Sequence, residues 1–291
     1  MDWIVIVNPV SGKSRGKRLA ESVVRFLAKR GVTAEPVFTT GPGDGTRLAR
    51  QAVAEGIRQV AVCGGDGTVH EVVNGLVGSD AVLGIVPSGR GNDLARVLGI
   101  PGDVESASAV LMDGVDRQID LGRIGDRYFG TVATLGFDSV VARWTYDRGA
   151  RFYVLAVLKT LRTYRCPTVR LEGDFGRFEG PILLVATGNG GFYGAGMQIV
   201  PQAICDDGVL DVCLVKAVSK ATLLSLFPRV FWGGHGKHPA VQMFRTKTLR
   251  IVTEEPLEIF ADGEPVCCTP ATINVVPGVL NVRVGKQGFG Q

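Results

Sequence analysis

Short β-branched apolar runs alternate with stretches of helical periodicity along the first 118 residues of the chain. The apolar runs are 4–7, 34–38, 59–63 and 81–86, and the helical stretches are 16–30, 46–55, 69–76 and 92–98. Four successive βα units predict a parallel sheet with helices on both faces, because each crossover must return the chain across a face of the sheet. We therefore expect an α/β domain over residues 1–118.

After about Gln118 the pattern changes to short strands separated by Gly, Asp and Pro. The candidate strands are 119–124, 128–134, 169–171, 181–186, 210–215, 249–252, 257–260 and 271–276, and the candidate helices are 150–163 and 220–231. This pattern predicts a larger β-rich domain over residues 119–279. The last apolar run, 280–284, suggests that residues 280–291 return to the first domain.

The composition indicates a globular protein with an unusual share of glycine. Hydrophobic residues make up 45% and charged residues 21% of the chain, which excludes a disordered or fibrous protein. Glycine accounts for 40 of the 291 residues, about twice the usual share. The six cysteines form no CxxC pair, which argues against a zinc site or a disulfide framework. The glycine positions are therefore the most informative part of the composition.

Charge and hydropathy limit the classes of partner. No apolar run reaches the roughly 18 residues that span a bilayer, and the first residues lack the pattern of a signal peptide, so we expect a cytoplasmic protein. The net charge of +4 is too small to indicate a nucleic-acid-binding protein, although it suits anionic ligands.

A glycine-rich loop, Cys63-Gly64-Gly65-Asp66-Gly67-Thr68, follows the third apolar run, at the sheet edge where α/β proteins bind ligands. Glycines let the backbone approach a phosphate, and the next helix offers free N–H groups at its N-terminus. The Asp66 carboxylate suits Mg²⁺. An ordinary turn, with Asp66 or Thr68 as the helix N-cap, is the alternative interpretation.

Two more loops are expected at the same edge. Asn8-Pro9-Val10-Ser11-Gly12-Lys13-Ser14 follows the first run, and Ser88-Gly89-Arg90-Gly91-Asn92-Asp93 follows the fourth. The first loop is not a Walker P-loop, because Val7 stands where that motif requires glycine. Asn8 and Ser11 nevertheless suit a nucleotide, Arg90 a phosphate and Asp93 a metal ion. A solvated basic turn and ordinary helix caps remain the alternatives.

The order of these motifs resembles that of the lipid kinases that include diacylglycerol and sphingosine kinases, in particular the soluble bacterial diacylglycerol kinases. Residues 62–76, Val-Cys-Gly-Gly-Asp-Gly-Thr-Val-His-Glu-Val-Val-Asn-Gly-Leu, resemble the nucleotide-binding core of that family. The further matches are Val7-Asn8-Pro9 with Ser11-Gly12, Gly91-Asn92-Asp93-Leu94-Ala95-Arg96, Gly136-Phe137-Asp138, Pro201-Gln202-Ala203 with Asp206-Asp207-Gly208, and Asp262-Gly263-Glu264. The resemblance implies an α/β nucleotide-binding domain, a larger C-terminal β-sandwich domain and an active-site cleft between them.

The resemblance also implies roles for individual residues. The ATP site would comprise Asn8, Pro9, Ser11, Gly12, Thr40, Gly64, Gly65, Asp66, Gly67, Thr68, Glu71, Ser88, Gly89 and Arg90. Asp66 and Asp93 would organise catalytic Mg²⁺, and Glu264 would be the general base that takes the proton of a lipid hydroxyl. A structural Mg²⁺ would be held by the Asp207 carboxylate and the backbone carbonyls of Ile204 and Val209.

Without the resemblance, Asp262-Gly263-Glu264 is typical of a hairpin turn, and Asp206-Asp207-Gly208 of a turn that needs no metal. The expected activity is ATP- and Mg²⁺-dependent phosphorylation of a lipid hydroxyl, with diacylglycerol giving phosphatidic acid in phospholipid biosynthesis. An NAD kinase shares the Gly-Gly-Asp-Gly-Thr loop but not the two downstream motifs, and it ranks below the lipid kinase.

Arg90 departs from the family pattern, which usually has threonine at this position beside the nucleotide. An arginine there either adds a phosphate contact or obstructs adenine nucleotide binding. The second alternative leaves open a catalytically weak lipid-binding or regulatory homologue. His70 replaces the asparagine common in bacterial members, and we interpret it as tolerated variation.

A soluble lipid kinase must visit a membrane surface, and two segments are candidates for that contact. Residues 148–165 mix Phe152, Tyr153 and Leu155 with five basic residues, which fits either contact with anionic lipid or the commoner core helix with charged ends. Residues 220–244 are a second candidate for the lipid-side rim. We expect transient peripheral membrane contact and no nucleic-acid partner, and a homodimer remains open.

Overall fold

The protein is described from a computed structural model that covers residues 2–14, 16–148 and 152–288. The chain folds into two compact units. The first unit comprises Met1–Leu121, Gly194–Gly196 and Pro277–Gln291, and the second comprises Gly122–Tyr193 and Met197–Val276. The first unit therefore gathers segments that are distant in sequence, and three of its residues interrupt the second unit.

The first unit contains a parallel sheet. Its strands are β1 (Trp3–Val7), β2 (Ala34–Phe38), β3 (Gln59–Gly64) and β4 (Val82–Pro87), in the order β2-β1-β3-β4. The end of the last strand, β17 (Ala271–Val284), adds to this sheet by pairing in parallel with β4, with Asn281 opposite Val82. The central strands β1 and β3 are buried almost throughout, as expected for a sheet covered on both faces.

Helices connect these strands. They are α1 (Ser11–Ser14), α2 (Gly16–Ala28), α3 (Asp44–Ala54), α4 (Asp66–Leu76), α5 (Asp93–Val97) and α6 (Val104–Asp113). The second helix buries Ala20, Val23 and Leu27, which recur at helical spacing, so one face packs on the sheet. Because β1, β3 and β4 are parallel and neighbouring, the loops that follow them emerge at one sheet edge.

The second unit is a β-sandwich. Its strands include the end of β5 (Val115–Ile124), then β6 (Arg127–Phe129), β7 (Val132–Gly136), β8 (Thr168–Gly173), β9 (Gly176–Gly188), β10 (Phe192–Tyr193), β11 (Met197–Gln198), β12 (Leu210–Lys216), β13 (Val241–Thr246), β14 (Thr248–Thr253), β15 (Glu258–Ala261), β16 (Glu264–Cys268) and the start of β17. The long strand β9 pairs first with β8 and then with β7 and β12.

Two apolar clusters lie on opposite faces of β12. Leu210, Val212 and Leu214 belong to the core that also includes β8 and β14, whereas Cys213 and Val215 face a second cluster. This alternation is the period of two expected for a strand that is buried on both faces. Helices cover the second cluster, namely α7 (Phe137–Arg148), α8 (Tyr153–Thr163), α9 (Lys220–Leu226) and the short 3-10 helices Phe227–Trp232 and Gly234–Lys237.

The fold class predicted from the sequence, an α/β N-terminal part with a parallel sheet and a C-terminal β-sandwich, is confirmed. Several element boundaries were wrong. The helix expected over 220–231 ends at Leu226, because Pro228 cannot donate an intrahelical hydrogen bond and the chain continues as a 3-10 turn. The strand expected over 128–134 is divided between β6 and β7.

Two further outcomes concern helices. The helix α6 was not predicted, although Asp103 caps it by accepting a hydrogen bond from the Ser106 backbone N–H at 2.8 Å. The helix expected over 150–163 begins at Tyr153 in the structure, and Ala150 and Arg151 lie outside the described residues.

Candidate functional site

The loops after β1, β3 and β4 are joined by side-chain hydrogen bonds at the carboxyl edge of the first sheet. Asn8 Nδ2 donates to Thr68 Oγ1 at 3.0 Å, which links the first loop to the start of α4. Ser88 Oγ donates to Ser11 Oγ at 2.9 Å, which links the first loop to the third. The structure therefore brings together four residues that the sequence assigned to a nucleotide site.

Glycines allow the loops to approach each other at backbone distance. A Cβ atom on Gly89 would lie 2.6 Å from the Gly65 Cα atom, which no side chain could tolerate. At Gly12 the φ angle is +57°, and a Cβ atom would lie 3.0 Å from the Ser88 carbonyl oxygen. These glycines therefore let the loops pack backbone against backbone, and any larger residue would force them apart. We call the three joined loops the cradle.

Asp66 fixes the third loop through its carboxylate. Its Oδ2 accepts the backbone N–H of Asn92 at 2.9 Å, and its Oδ1 accepts that of Asp93 at 2.7 Å. Asn92 has a left-handed backbone with φ of 53°, and its Oδ1 accepts the Gly89 N–H at 2.9 Å. Sequence analysis did not include Asn92 among the site residues, although asparagine tolerates this conformation better than most residues do.

Asp93 is buried and carries the most perturbed carboxylate of this group. Its oxygens accept N–H groups from Ala195 at 3.2 Å and Gly196 at 3.1 Å, and Arg96 donates to it at 2.8 Å. Burial and then the nearby Asp66 carboxylate raise the pKa of Asp93 to about 6. Two hard carboxylates that repel each other are a donor set that fits Mg²⁺, which commonly binds one or two carboxylates together with phosphates.

Thr40 lies in the loop between β2 and α3, and Glu71 of α4 contacts that loop. Glu71 accepts the backbone N–H groups of Gly43 at 2.7 Å and Gly45 at 2.8 Å, so its carboxylate holds this loop against α4. Thr40 donates through its hydroxyl to Asp44 at 2.6 Å. Both residues have these local contacts in addition to the nucleotide contact that the resemblance implies.

The remaining residues assigned to the ATP site differ in their surroundings. Gly64 lies against the Thr68 side chain, which would be 2.6 Å from a Cβ atom there. Pro9 is half-buried, and Gly67 lies in the first turn of α4. Arg90 is exposed, and the described part of the chain provides it with no hydrogen bond or ion pair.

Glu264 belongs to the second unit, where it begins β16. Asp262 and Gly263 form the two-residue connection from β15, with φ angles of 51° and 85° that suit a tight hairpin turn. The Asp262 carboxylate accepts N–H groups from Gly130 and Thr131, both at 2.9 Å, and so fixes this turn. The hairpin interpretation is therefore correct for the backbone, and it leaves the role of Glu264 as a prediction.

Asp207 also lies in the second unit, beside an unpredicted ionic contact. One of its oxygens accepts the Val209 N–H at 3.2 Å, and the other pairs with Arg245. Arg245 also lies 3.9 Å from an oxygen of Asp211 that is buried and has no hydrogen-bond partner among the described residues. Burial raises the pKa of Asp211 to about 6. Arg245 already supplies a positive charge to Asp207, and Ile204 is exposed. The structural cation at Asp207, Ile204 and Val209 therefore stays a prediction.

Across residues 2–14, 16–148 and 152–288, no three His, Cys, Asp or Glu side chains form a group that could hold a metal ion alone. Sequence analysis missed Asp211, Arg245 and the segment Gly194–Gly196 that contacts Asp93. The contacts of Arg245 and of Gly194–Gly196 join residues far apart in the chain, so no local spacing could reveal them.

The cradle lies at the carboxyl edge of a parallel α/β sheet, where proteins of this fold bind their ligands, and comparison with known proteins shows that the class is that of kinases. The diacylglycerol kinase catalytic domain matches residues 2–124, and the YegS C-terminal NAD kinase beta sandwich-like domain matches residues 130–284. The chain belongs to the diacylglycerol kinase family and is a kinase.

Relatives match over most of their length. A diacylglycerol kinase from Mycobacterium tuberculosis is 36% identical over 97% of this chain and 95% of its own length. One from Staphylococcus carnosus is 31% identical over 89% of this chain and 87% of its own length. The crystal structure of a diacylglycerol kinase from Bacillus anthracis has a TM-score of 0.83 and 26% identity, covering 98% of both chains.

Proposed function

We propose that this protein transfers the γ-phosphate of ATP, with Mg²⁺, to the hydroxyl of diacylglycerol and so forms phosphatidic acid. The observation that carries the proposal is the backbone cradle formed where Gly65 and Gly89 approach within contact distance at the sheet edge. The names of the relatives support diacylglycerol as the acceptor.

The start of α4 supplies hydrogen-bond donors for phosphate oxygens. Its N-cap is Gly65, which has no side chain to accept from the N–H groups of the first turn. These groups, at the positive end of an 11-residue helix, suit an anion. Asn8 and Thr68, held together by their hydrogen bond, border the same place.

Asp66 and Asp93 are the residues that would hold Mg²⁺ in this site. Bound Mg²⁺ would neutralise charge on the phosphate oxygens. Each carboxylate also has a structural role, because Asp66 fixes the third loop and Asp93 accepts N–H groups from Ala195 and Gly196. A structural cation near Asp207 remains part of this proposal.

Glu264 is the proposed general base. It would accept the proton from the acceptor hydroxyl as that oxygen attacks the γ-phosphorus and ADP leaves. The fixed hairpin turn, in which Asp262 is held by Gly130 and Thr131, keeps the Glu264 backbone in one position. A rigid strand end is the type of support that a catalytic carboxylate requires.

A catalytically weak lipid-binding homologue is the second candidate, and Arg90 favours it. Its exposed side chain stands on the third loop between Gly89 and Gly91, where it either contacts phosphate or obstructs the nucleotide. Calorimetric titration of ATP with Mg²⁺ separates the two. If Arg90 contacts phosphate, Arg90→Thr weakens ATP binding, whereas tighter binding by the variant would support the obstructed homologue.

The proposed function is tested by following labelled γ-phosphate from ATP and Mg²⁺ into a panel of micellar lipids, with NAD as a soluble acceptor. We expect label in phosphatidic acid when diacylglycerol is present. Label on NAD would overturn the acceptor class, and a folded protein that labels no acceptor would favour the weak homologue.

Over the described ranges, none of the helices combines the length and apolarity needed to cross a bilayer.

A further inference from the structure

Helix α8 is apolar on two sides, of which one is covered by the protein. Ala156 and Thr160 are buried, and Val157 and Leu161 pack against the second apolar cluster of the β-sandwich unit. On the other side Val154, Leu155 and Leu158 are 68%, 56% and 53% exposed. A helix that faces water normally has polar side chains on its exposed face. Three large apolar side chains exposed together on α8 depart from that pattern.

The segment formed by α9 and the following 3-10 helix has the same division. Leu226 and Val230 are buried and hold the segment on the β-sandwich unit. Leu224, Phe231 and Trp232 point away from the core, and Trp232 is 65% exposed. An exposed tryptophan beside a phenylalanine is the composition found where proteins meet the interface of a bilayer.

The two segments are neighbours. The Lys220 Nζ donates a hydrogen bond to the Arg162 backbone carbonyl at 3.2 Å, which joins the start of α9 to the end of α8. Val157 of α8 and Leu223 of α9 also pack against the same cluster. We call the exposed apolar residues Val154, Leu155, Leu158, Leu224, Phe231 and Trp232 the outer surface.

The two segments that carry the outer surface contain charged residues of one sign only. Residues 152–165 and 219–240 contain six lysines and arginines and no aspartate or glutamate, whereas the whole chain has a net charge of only +4. The six residues are Lys159, Arg162, Arg165, Lys220, Arg229 and Lys237. The rest of the chain is therefore slightly acidic, and the excess positive charge is concentrated beside the exposed apolar groups.

Trp144 holds two cations next to α8. The Arg148 guanidinium lies 4.0 Å and the Lys159 ammonium 4.1 Å from the centre of the Trp144 ring. Packing on one indole ring brings these two charges near each other, which suits an anionic headgroup that would offset their repulsion.

We propose that the outer surface docks on a bilayer of anionic phospholipid, with its apolar side chains among the headgroups and the surrounding cations on lipid phosphates. A soluble protein partner would need an acidic rim around an apolar patch to match this surface, whereas every anionic bilayer supplies both chemistries. The proposal rests on the proposed function, because a kinase for diacylglycerol must reach an acceptor that resides in membranes. It names the surface through which that contact is made.

Co-sedimentation of the full chain with vesicles, without ATP or diacylglycerol, tests the proposal. Vesicles of equal parts phosphatidylcholine and phosphatidylglycerol are expected to bind at least about tenfold more protein than phosphatidylcholine alone. Trp232→Asp and Leu155→Asp should each abolish most of this binding. Val140→Asp is the matched control, since Val140 is an exposed apolar residue on α7 outside the outer surface, at 41% exposure.

Tryptophan emission gives a second readout. Of the three tryptophans, Trp3 is buried and Trp144 is covered by its two cations, so Trp232 should dominate any change on binding. We expect a blue shift with anionic vesicles that disappears in Trp232→Phe. Equal binding by wild type and Trp232→Asp, with no emission shift, would overturn the proposal. So would a wild-type dimer that Trp232→Asp converts to a monomer, because the surface would then join two copies.

A short-chain diacylglycerol dissolved as monomer separates this inference from the proposed function. Trp232→Asp should phosphorylate that acceptor at the wild-type rate while losing vesicle binding. One outcome is that neither wild type nor Trp232→Asp phosphorylates the short-chain diacylglycerol, while wild type binds anionic vesicles through the outer surface. The proposed function then fails and the docking surface stands. If phosphorylation is intact and vesicle binding is absent in wild type, the docking surface fails alone.

Discussion

Asp66 shows how one residue combines a binding role expected from sequence with a structural role seen in the fold. Both of its oxygens accept backbone N–H groups, from Asn92 and Asp93, across a separation of more than 25 residues. The sequence predicted a carboxylate for Mg²⁺ or an N-cap of its own helix. The structure has it capping the next helix, α5, which local spacing could not indicate because that contact depends on strand order.

Asp66→Asn is expected to destabilise the first unit. The amide retains only one acceptor oxygen, so one backbone N–H loses a charged partner, which costs about 1–3 kcal/mol. Urea unfolding measures this loss. Asp80→Asn, at an exposed carboxylate, should change the free energy of unfolding by less than about 0.5 kcal/mol. Equal stability of the two variants would show that the two hydrogen bonds contribute nothing.

Asp138 is a second residue whose sequence motif did not reveal its environment. It lies in the first turn of α7, and the Tyr193 hydroxyl donates to its carboxylate at 2.5 Å. Burial raises its pKa from the ordinary 3.8 to about 6, and the hydrogen bond from Tyr193 opposes that shift in part. The folded chain therefore holds this proton more tightly than the unfolded chain does.

The stability that this proton contributes is complete below about pH 4 and is lost as the pH rises to about 6. Asp138→Asn cannot titrate, so its free energy of unfolding should rise relative to that of wild type between those two values. Urea unfolding as a function of pH measures the difference. The exposed Asp126→Asn is the control, and parallel profiles for wild type and Asp138→Asn would contradict the assignment.

At the scale of elements, the hydrophobic pattern predicted most of the first unit. The strands at 4–7, 34–38, 59–63 and 81–86 appear as β1 to β4 within a residue or two, since β-branched runs between glycine and proline leave few alternatives. The pattern did not predict that Gly194–Gly196 joins this unit, because its contacts there, such as the Gly196 N–H with Asp93, link residues about a hundred positions apart.

The close approach of the loops after β3 and β4 gives a prediction at this scale. Gly89→Ala would set a Cβ atom 2.6 Å from the Gly65 Cα atom and 2.9 Å from Asn92 Oδ1, so both loops must separate. We expect weaker ATP binding in calorimetry together with a lower unfolding midpoint. Gly102→Ala, where a Cβ atom meets nothing within 4 Å, should change neither. Unaltered ATP binding by Gly89→Ala would remove the cradle from the account.

At the scale of the molecule, both units are matched over nearly the whole chain by relatives named diacylglycerol kinase. The motif order carried that resemblance in the sequence, while the exposure of the apolar side chains of the outer surface required the structure. The ionic contacts of Arg245 with Asp207 and Asp211 also required the structure, because they depend on the pairing of β12 with β13. Long-range contacts of this kind are what sequence patterns leave undetermined.

The most direct test of the account is the initial rate at which labelled γ-phosphate passes from ATP to diacylglycerol in mixed micelles. Wild type and the control Glu254→Gln should form labelled phosphatidic acid at equal rates. Glu264→Gln should be slower by about 10²–10⁴-fold, because the amide cannot accept the hydroxyl proton, with its unfolding midpoint unchanged. A wild-type rate in Glu264→Gln, or folded wild type that leaves the lipid unlabelled, would contradict the account.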